Sequence, residues 1–373
     1  MKILVIFTCP LANDGISNNV MNYFSYIDHQ LIKADFLSNN LDVPEKWKKK
    51  ISSFGGTLFT VAGRNRHPFR YVLKLKKIIS NGKYDAVHIH GNSATMAVEL
   101  FAAKRAKCPI RIVHSRNTKC DHKIIDRILR PYFYHAATDF FACGEKAGEW
   151  LFPNRKFIII NNGNDIDKNS FSLLDRKKYR ENFSIADKTI VLLNIGLFVD
   201  QKNHAFLVEI FNRLCQLDQN NEYKLVLVGT GPLLSKIKEK IQFYGLNDKV
   251  IFLQNRDDVA QVLSMSDIFL FPSLFEGLPN VVIEAQISNL QCLISDQITS
   301  EVKLTPNVYF LPIEAADISK WVQEIIDKAL LINQRAATEE KNLAIISEKG
   351  FDIRDNAKRL QAIYLSLLKK DQS

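Results

Sequence analysis

The sequence predicts an α/β protein built from two Rossmann-like domains in tandem. Three observations carry that reading. Short apolar runs rich in β-branched residues alternate with longer stretches of helical spacing. The alternation stops at a polar, glycine-containing stretch, "RKFIIINNGNDID" (155–167), and then starts again. The chain also has 373 residues, more than one hydrophobic core ordinarily organises.

The elements follow in order. "KILVIFT" (2–8) is a continuous apolar run, as expected of a strand hidden on both faces, and reads as a first strand rather than a signal peptide because no small-residue cleavage site follows. After a glycine turn, 15–28 has helical spacing. "ADFLS" (34–38) and "TLFTVAG" (57–63) read as strands, 69–80 as a helix, and "YDAVHIHG" (84–91) as a strand leading into the helix "ATMAVELFAAKRA". "IRIVHSR" (110–116) and "DFFACG" (139–144) continue the series. Past the crossing, strands are expected at "TIVLLNIGLF" (189–198), "YKLVLVGTG" (223–231), "KVIFLQ", "DIFLFPS" and "QCLISD", with helices between the first four. An amphipathic helix, 354–370, closes the series, with Ala357, Leu360, Ile363, Tyr364 and Leu367 on one side. Strands alternating with helices imply parallel sheets covered on both faces.

Composition narrows the function. The chain is 46% hydrophobic and 24% charged, as a globular protein is. No apolar run approaches the roughly 18 residues of a membrane span. Six scattered cysteines without a CxxC pair imply reduced thiols, a cytoplasmic setting and no zinc site. The net charge of +10 is uneven: 1–165 holds 25 basic and 13 acidic residues, leaving 25 and 27 for the remainder. "EKWKKK" (45–50) and "RNRHPFRYVLKLKK" (64–77) concentrate it. Either they form a solvated basic face or they attract an anionic membrane surface or acceptor, at about 1 kcal/mol per cation near a bilayer. Nucleic acid is not expected, because no binding module accompanies the charge.

In the second half, strand ends carry the chemistry. Lys202 follows the first strand, Gly229 and Gly231 follow the second, Arg256 the third, and "PSLFEGLPN" the fourth. All fall on one edge of a parallel sheet, where a lysine, glycine turns and a helix N-terminus suit a diphosphate. "PSLFEGLPNVVIEAQ" (272–286) adds two acids, Glu276 on the turn and Glu284 in the following helix. Of two strand histidines, His88 and His90, expected on opposite faces, His90 is a candidate acceptor contact. "DID" (165–167) falls in the interdomain crossing, which argues against a metal-binding acidic motif.

"PSLFEGLPNVVIEAQ" resembles the E-x7-E motif of retaining glycosyltransferases of the GT-B fold, family 4. "NDGISNNVMNYFSYID", "YDAVHIHG", "RIVHSRN", "IINNGND", "QKNH", "LVLVGTGP" and "EAQ…CLISDQITSEVKLT" are similar, in order, to that family's capsule and exopolysaccharide enzymes. The resemblance implies an acceptor domain 1–165, a nucleotide-sugar domain 166–350 facing it across a cleft, and a C-terminal helix 351–373 returning to the first. It implies that Glu284 binds the ribose and that Glu276 touches the donor sugar. Gly277, Leu278, Pro279 and Asn280 would surround that sugar and its phosphate, and Lys202 would neutralise the leaving diphosphate. Gly15 would close over it, His114 would lie beside the sugar, Gly196 at the end of the first strand of the donor domain would bind the donor, and Arg256 would border the base. The donor is a nucleotide sugar, UDP by family habit. The acceptor is a saccharide on polyprenyl diphosphate at the inner face of a membrane, and no metal or other cofactor is required. Sugar-nucleotide epimerisation, and a non-catalytic binder, are the alternatives.

Three positions depart from the family. Leu197 stands where an arginine is usual, which removes a phosphate-binding cation. Gln254 replaces a glycine beside the base. Asn289–Leu290–Gln291 replaces a Gly-Pro turn, a change expected to affect that turn alone.

Overall fold

The computed structural model describes residues 1–12, 15–120, 122–254 and 256–372. Asn13 and Asp14 of the expected glycine loop lie outside them. The first part of the chain runs β1 (Lys2–Phe7), α1 (Gly15–Tyr26), β2 (Lys33–Ser38), α2 (Glu45–Ser53), β3 (Leu58–Thr60), α3 (Pro68–Gly82) and β4 (Ala86–Gly91). It continues with α4 (Ala97–Arg105), β5 (Ile110–Ser115), α5 (Lys123–Ala136), β6 (Asp139–Ala142), α6 (Glu145–Leu151) and β7 (Ile158–Ile159). The second part runs α7 (Ile166–Asn169), α8 (Leu173–Asn182), β8 (Ile190–Ile195), α9 (His204–Leu217), β9 (Tyr223–Val228), α10 (Leu234–Phe243) and β10 (Val250–Leu253). Then come α11 (Val259–Met265), β11 (Ile268–Phe271), α12 (Asn280–Ile287), β12 (Gln291–Ser295), β13 (Val308–Leu311), α13 (Ile318–Ala329), α14 (Arg335–Glu348) and α15 (Ile353–Gln372).

These elements form two compact units, Met1–Gly163 with Gly350–Ser373, and Asn164–Lys349. In the first, seven parallel strands are ordered β3-β2-β1-β4-β5-β6-β7. Strand β1 shows why the sequence reads as one apolar run. Ile3, Val5 and Phe7 enter one core, and Leu4 and Ile6 enter the core on the opposite face. The last helix, α15, packs on α1 and buries Ile353, Ala357, Leu360 and Tyr364, one helical stripe, in the same core as Ile3. Gly163 permits that packing, since a Cβ there would come within 2.9 Å of the Ile353 Cα.

The second unit has six parallel strands ordered β10-β9-β8-β11-β12-β13. Its order reverses between β8 and β11, as that of the first unit does between β1 and β4, and such switch points are where open α/β sheets bind ligands. A buried polar frame holds the far side. Asp267 accepts from Arg180 and from Arg176, each at 2.6 Å, and from the Val191 amide at 2.7 Å. Arg335 donates to the Ser266 carbonyl at 2.6 Å and lies over the Phe171 ring at 4.0 Å.

The departure at 289–291 does more than alter a turn. Asn289 takes a left-handed φ of 54°, which asparagine tolerates better than most residues, and so ends α12 where a glycine is usual. Its amide then donates to the Arg335 carbonyl and to Thr338, and its carbonyl oxygen accepts from Asn307 and Asn342. One side chain thereby ties α12 to α14, a role open to asparagine and closed to glycine.

Candidate active site

The second unit brings Lys202 and Glu276 together at its switch point, while Arg256 follows the outer strand β10. Beyond β8, the chain passes Gly196 and turns through Asp200–Lys202 before α9. Beyond β11, it makes the loop 272–279 that starts α12. The Leu274 amide donates to the Gln201 carbonyl, and the Gln201 side chain donates to the Phe275 carbonyl, both at 2.8 Å. These two bonds fix the turns against each other. Lys202 Nζ then donates to Glu276 Oε1 at 2.6 Å and sits 4.7 Å from the centre of the Phe271 ring. Both side chains are mostly covered, at 17% and 12% exposure, so the pair is held in a partly desolvated place where a charge acts strongly.

Glycines crowd the strand ends beside this pair. A Cβ on Gly196 would come 3.2 Å from Lys202 Cδ, and one on Gly229 would come 2.0 Å from the Gly196 carbonyl oxygen. Gly231 is likewise closed in by the Phe198 backbone at 2.6 Å. The strand ends thus pack backbone against backbone, with Gly196 beside the aliphatic part of Lys202.

Leu197 is 57% exposed and brings no charge. Buried His204, stacked on Phe198 at 4.2 Å, does not replace the missing cation: burial and then the Lys202 charge hold its pKa down to about 4. Arg256 is engaged by Asp258, its Nε donating to Oδ1 at 2.7 Å, so it is an ion-pair partner before it is a ligand contact.

Helix α12 supplies the rest. Gly277 and Leu278 lead into it, Pro279 precedes its first turn, and Asn280 opens it, leaving first-turn amides such as that of Asn280 without helical partners. Glu284 lies one turn on from Asn280, on the same face. Burial pushes its carboxyl up from 4.5 to about 7, and the Lys168 charge opposes that only in part. The sign follows. The folded protein favours protonated Glu284, so the group's stabilising contribution is complete below about 4.5 and is lost as pH rises through about 7. Hydroxyl donors of a ligand favour the ionised form instead. Affinity for a nucleotide diphosphate sugar should therefore rise with pH through about 7 and level off above it, and Glu284→Gln should flatten the profile. Calorimetric titration across that range checks this; an unchanged slope in the variant would remove Glu284 from the site.

In the first unit, Gly15 is exposed as the opening residue of α1. The expectation that His88 and His90 face apart is wrong. Residues two apart on a strand share a face, and their rings lie 4.1 Å apart. His114 is paired with His90 in the β4–β5 register, and its ring is 5.1 Å from that of His90. All three are buried, which holds their pKa values well below 6.5, and the Arg116 charge adds to this. Residue 116 continues the His114 alternation, so the same period-two reading would have found it. Tyr364, paired with His88 across 276 positions, left no local signal.

Comparison with known proteins adds the following. A family model described as glycosyl transferases group 1 matches residues 175–341. The chain is 31% identical to the putative glycosyltransferase EpsF of Bacillus subtilis, over 96% of this chain and 95% of that one. It is 25% identical, over 80% and 79%, to an Escherichia coli protein named UDP-Gal:alpha-D-GlcNAc-diphosphoundecaprenol alpha-1,3-galactosyltransferase. Among solved structures, Anabaena HepE in complex with UDP superposes with a TM-score of 0.78, covering 98% of this chain and 100% of that one at 18% identity. That likeness gives the fold, GT-B.

Proposed function

Because this chain belongs to the glycosyl transferases group 1 and is a glycosyltransferase, we propose that it is a retaining enzyme of family 4, moving a hexose from a UDP-sugar to a saccharide carried on polyprenyl diphosphate in bacterial surface polysaccharide synthesis. The observation that carries this reading is the Lys202–Glu276 pair at the switch point, with Glu284 on the adjoining helix. Lys202 offers positive charge to a diphosphate that becomes more negative as its bond to the sugar breaks. Glu276, bonded to Lys202, turns its remaining acceptor capacity toward sugar hydroxyls and fixes the lysine. Glu284 receives the ribose. In this reading transfer proceeds by front-face attack, with the departing phosphate assisting, so no carboxylate nucleophile is needed. The diphosphoundecaprenol named for the E. coli relative and the UDP held by HepE support the choice of acceptor and donor.

The test is direct. Purified protein is screened for thermal stabilisation by a panel of sugar nucleotides, and the stabilising one is incubated with a polyprenyl-diphosphate saccharide. A lengthened saccharide is expected. Release of an altered sugar nucleotide without acceptor, or binding without turnover, would overturn the proposal.

The surface of the first unit supports a membrane location for the acceptor. Helix α3 leaves Phe69 87% and Leu73 66% exposed beside Arg66, Arg70 and Lys74, and α5 exposes Ile124, Ile125 and Ile128. Apolar side chains amid cations suit a peripheral position on an anionic cytoplasmic leaflet. Flotation with anionic vesicles should show binding at low salt that fades as salt is raised. Absence of binding at low salt would remove the membrane from the proposal.

A further inference from the structure

At the first unit's switch point, Arg116 has three acceptors, all uncharged. Its Nε and Nη2 converge on His90 Nδ1 at 3.1 and 3.0 Å, and its Nη1 donates to Asn19 Oδ1 at 2.9 Å and to Asn162 Oδ1 at 3.4 Å. Among the described residues no carboxylate pairs with it. A guanidinium withdrawn even in part from water without a counter-charge is costly.

The surrounding hydrogen bonds dictate where the protons are. Because Arg116 occupies His90 Nδ1, the His90 proton is on Nε2. Tyr364 Oη lies 2.5 Å from His88 Nδ1 with no other partner among the described residues, and because a phenol is the better donor and a neutral imidazole nitrogen the better acceptor, we assign the proton to the hydroxyl. His88 Nε2–H therefore donates to His114 Nδ1 at 3.1 Å, and the His114 proton is also on Nε2. Asn19 spends its oxygen on Arg116, which leaves its amide hydrogens. His90 Nε2, His114 Nε2 and Asn19 Nδ2 are all buried, and none has a partner. The three residues are 1%, 0% and 2% exposed. Every unused group around Arg116 is thus a donor, on α1 and at the ends of β4 and β5, and buried donors without acceptors call for an explanation.

The three imidazoles also lie close enough together to hold a metal ion. The proton arrangement opposes that. Both nitrogens of His88 and both Nδ1 atoms of its neighbours are engaged, the two remaining nitrogens carry protons, and Arg116 repels a dication.

We propose that Arg116, His90, His114 and Asn19 form a binding site for an anionic oxygen group, a phosphate or a carboxylate. Resting on the function proposed above, that group belongs to the acceptor: the diphosphate of its lipid carrier or the carboxylate of an acidic sugar. Arg116 supplies the charge, and the three neutral donors complete the shell. Tyr364 is a positioning residue, since it sets the His114 tautomer through His88.

The test follows the imidazole Nε2 resonances of His90 and His114 by nitrogen-proton NMR on the full chain, with inorganic diphosphate and glucuronate as separate probes. Saturable shifts of both resonances are expected, with affinity at least about tenfold weaker in Arg116→Gln and largely kept in Arg116→Lys. Tyr364→Phe should change the His114 proton position at unchanged overall fold. Response to diphosphate alone assigns the lipid carrier, and response to glucuronate alone assigns an acidic sugar. No shift with either probe at tens of millimolar, equal binding by Arg116→Gln, or loss of both Nε2 protons to added zinc would each overturn the site. Should a variant fail to fold, the wild-type titration still decides. Anion binding without any glycosyl transfer would leave the site standing and remove the proposed function, whereas transfer without anion binding would do the reverse.

Discussion

Replacing Glu276 by alanine should lower transfer by at least about 10³-fold while moving the unfolding of the second unit little. The carboxylate does two things that alanine cannot. It accepts from Lys202 Nζ at 2.6 Å, which fixes the ammonium over the Phe271 ring, and in the proposed function it offers an acceptor to the donor sugar. Lys202→Ala should cost about 10²–10³-fold, expressed in kcat, because its charge matters most as the diphosphate departs. Since the two side chains touch, the double variant should be scarcely worse than Glu276→Ala alone. Initial rates with saturating donor measure all three. Full activity in Glu276→Ala would refute the assignment of the site.

A second large effect is expected away from the chemistry. Asp267→Ala should lower the stability of the second unit by about 3–5 kcal/mol, because it strands the buried Arg180 without a counter-charge and takes a partner from the partly covered Arg176. Arg180 is 2% exposed and Asp267 3%, and the Val191 amide at the start of β8 loses its acceptor as well. Denaturant unfolding should show the second unit melting early, with the first unit's transition in place. A single unshifted transition would show that the arginines reach water without the aspartate.

The strands were legible in the sequence because sheets covered on both faces demand continuous apolar runs. Leu4 and Ile6 serve one core while Ile3 and Val5 serve the other, so no alternation dilutes the signal. The second unit's site was legible for a related reason. Parallel strands deliver all their carboxyl ends to one edge, so Lys202 and Glu276 meet across 74 positions. Helices α8 and α14 were not read, because their apolar residues are few among charges and their packing is set by buried Arg180 and Arg335. Strand β13 offered only four residues. The assignment of His88 and His90 to opposite faces was a misreading of a period that the sequence stated correctly. Asn289 shows a different limit. A substitution for glycine looks like a lost turn until its four hydrogen-bond partners are known.

The return of α15 to the first unit bears on how the protein is made. Tyr364 follows the whole of Asn164–Lys349 in the chain, so on the ribosome the second unit emerges, and can fold, before the first has its final helix. Until then the stripe of Ile353, Ala357, Leu360 and Tyr364 is missing from a core that already holds Ile3 and Val5. His88 also lacks the hydroxyl that orders its protons. The nascent chain therefore completes its second unit early and its first unit late, and translation itself sets the order in which the two cores close.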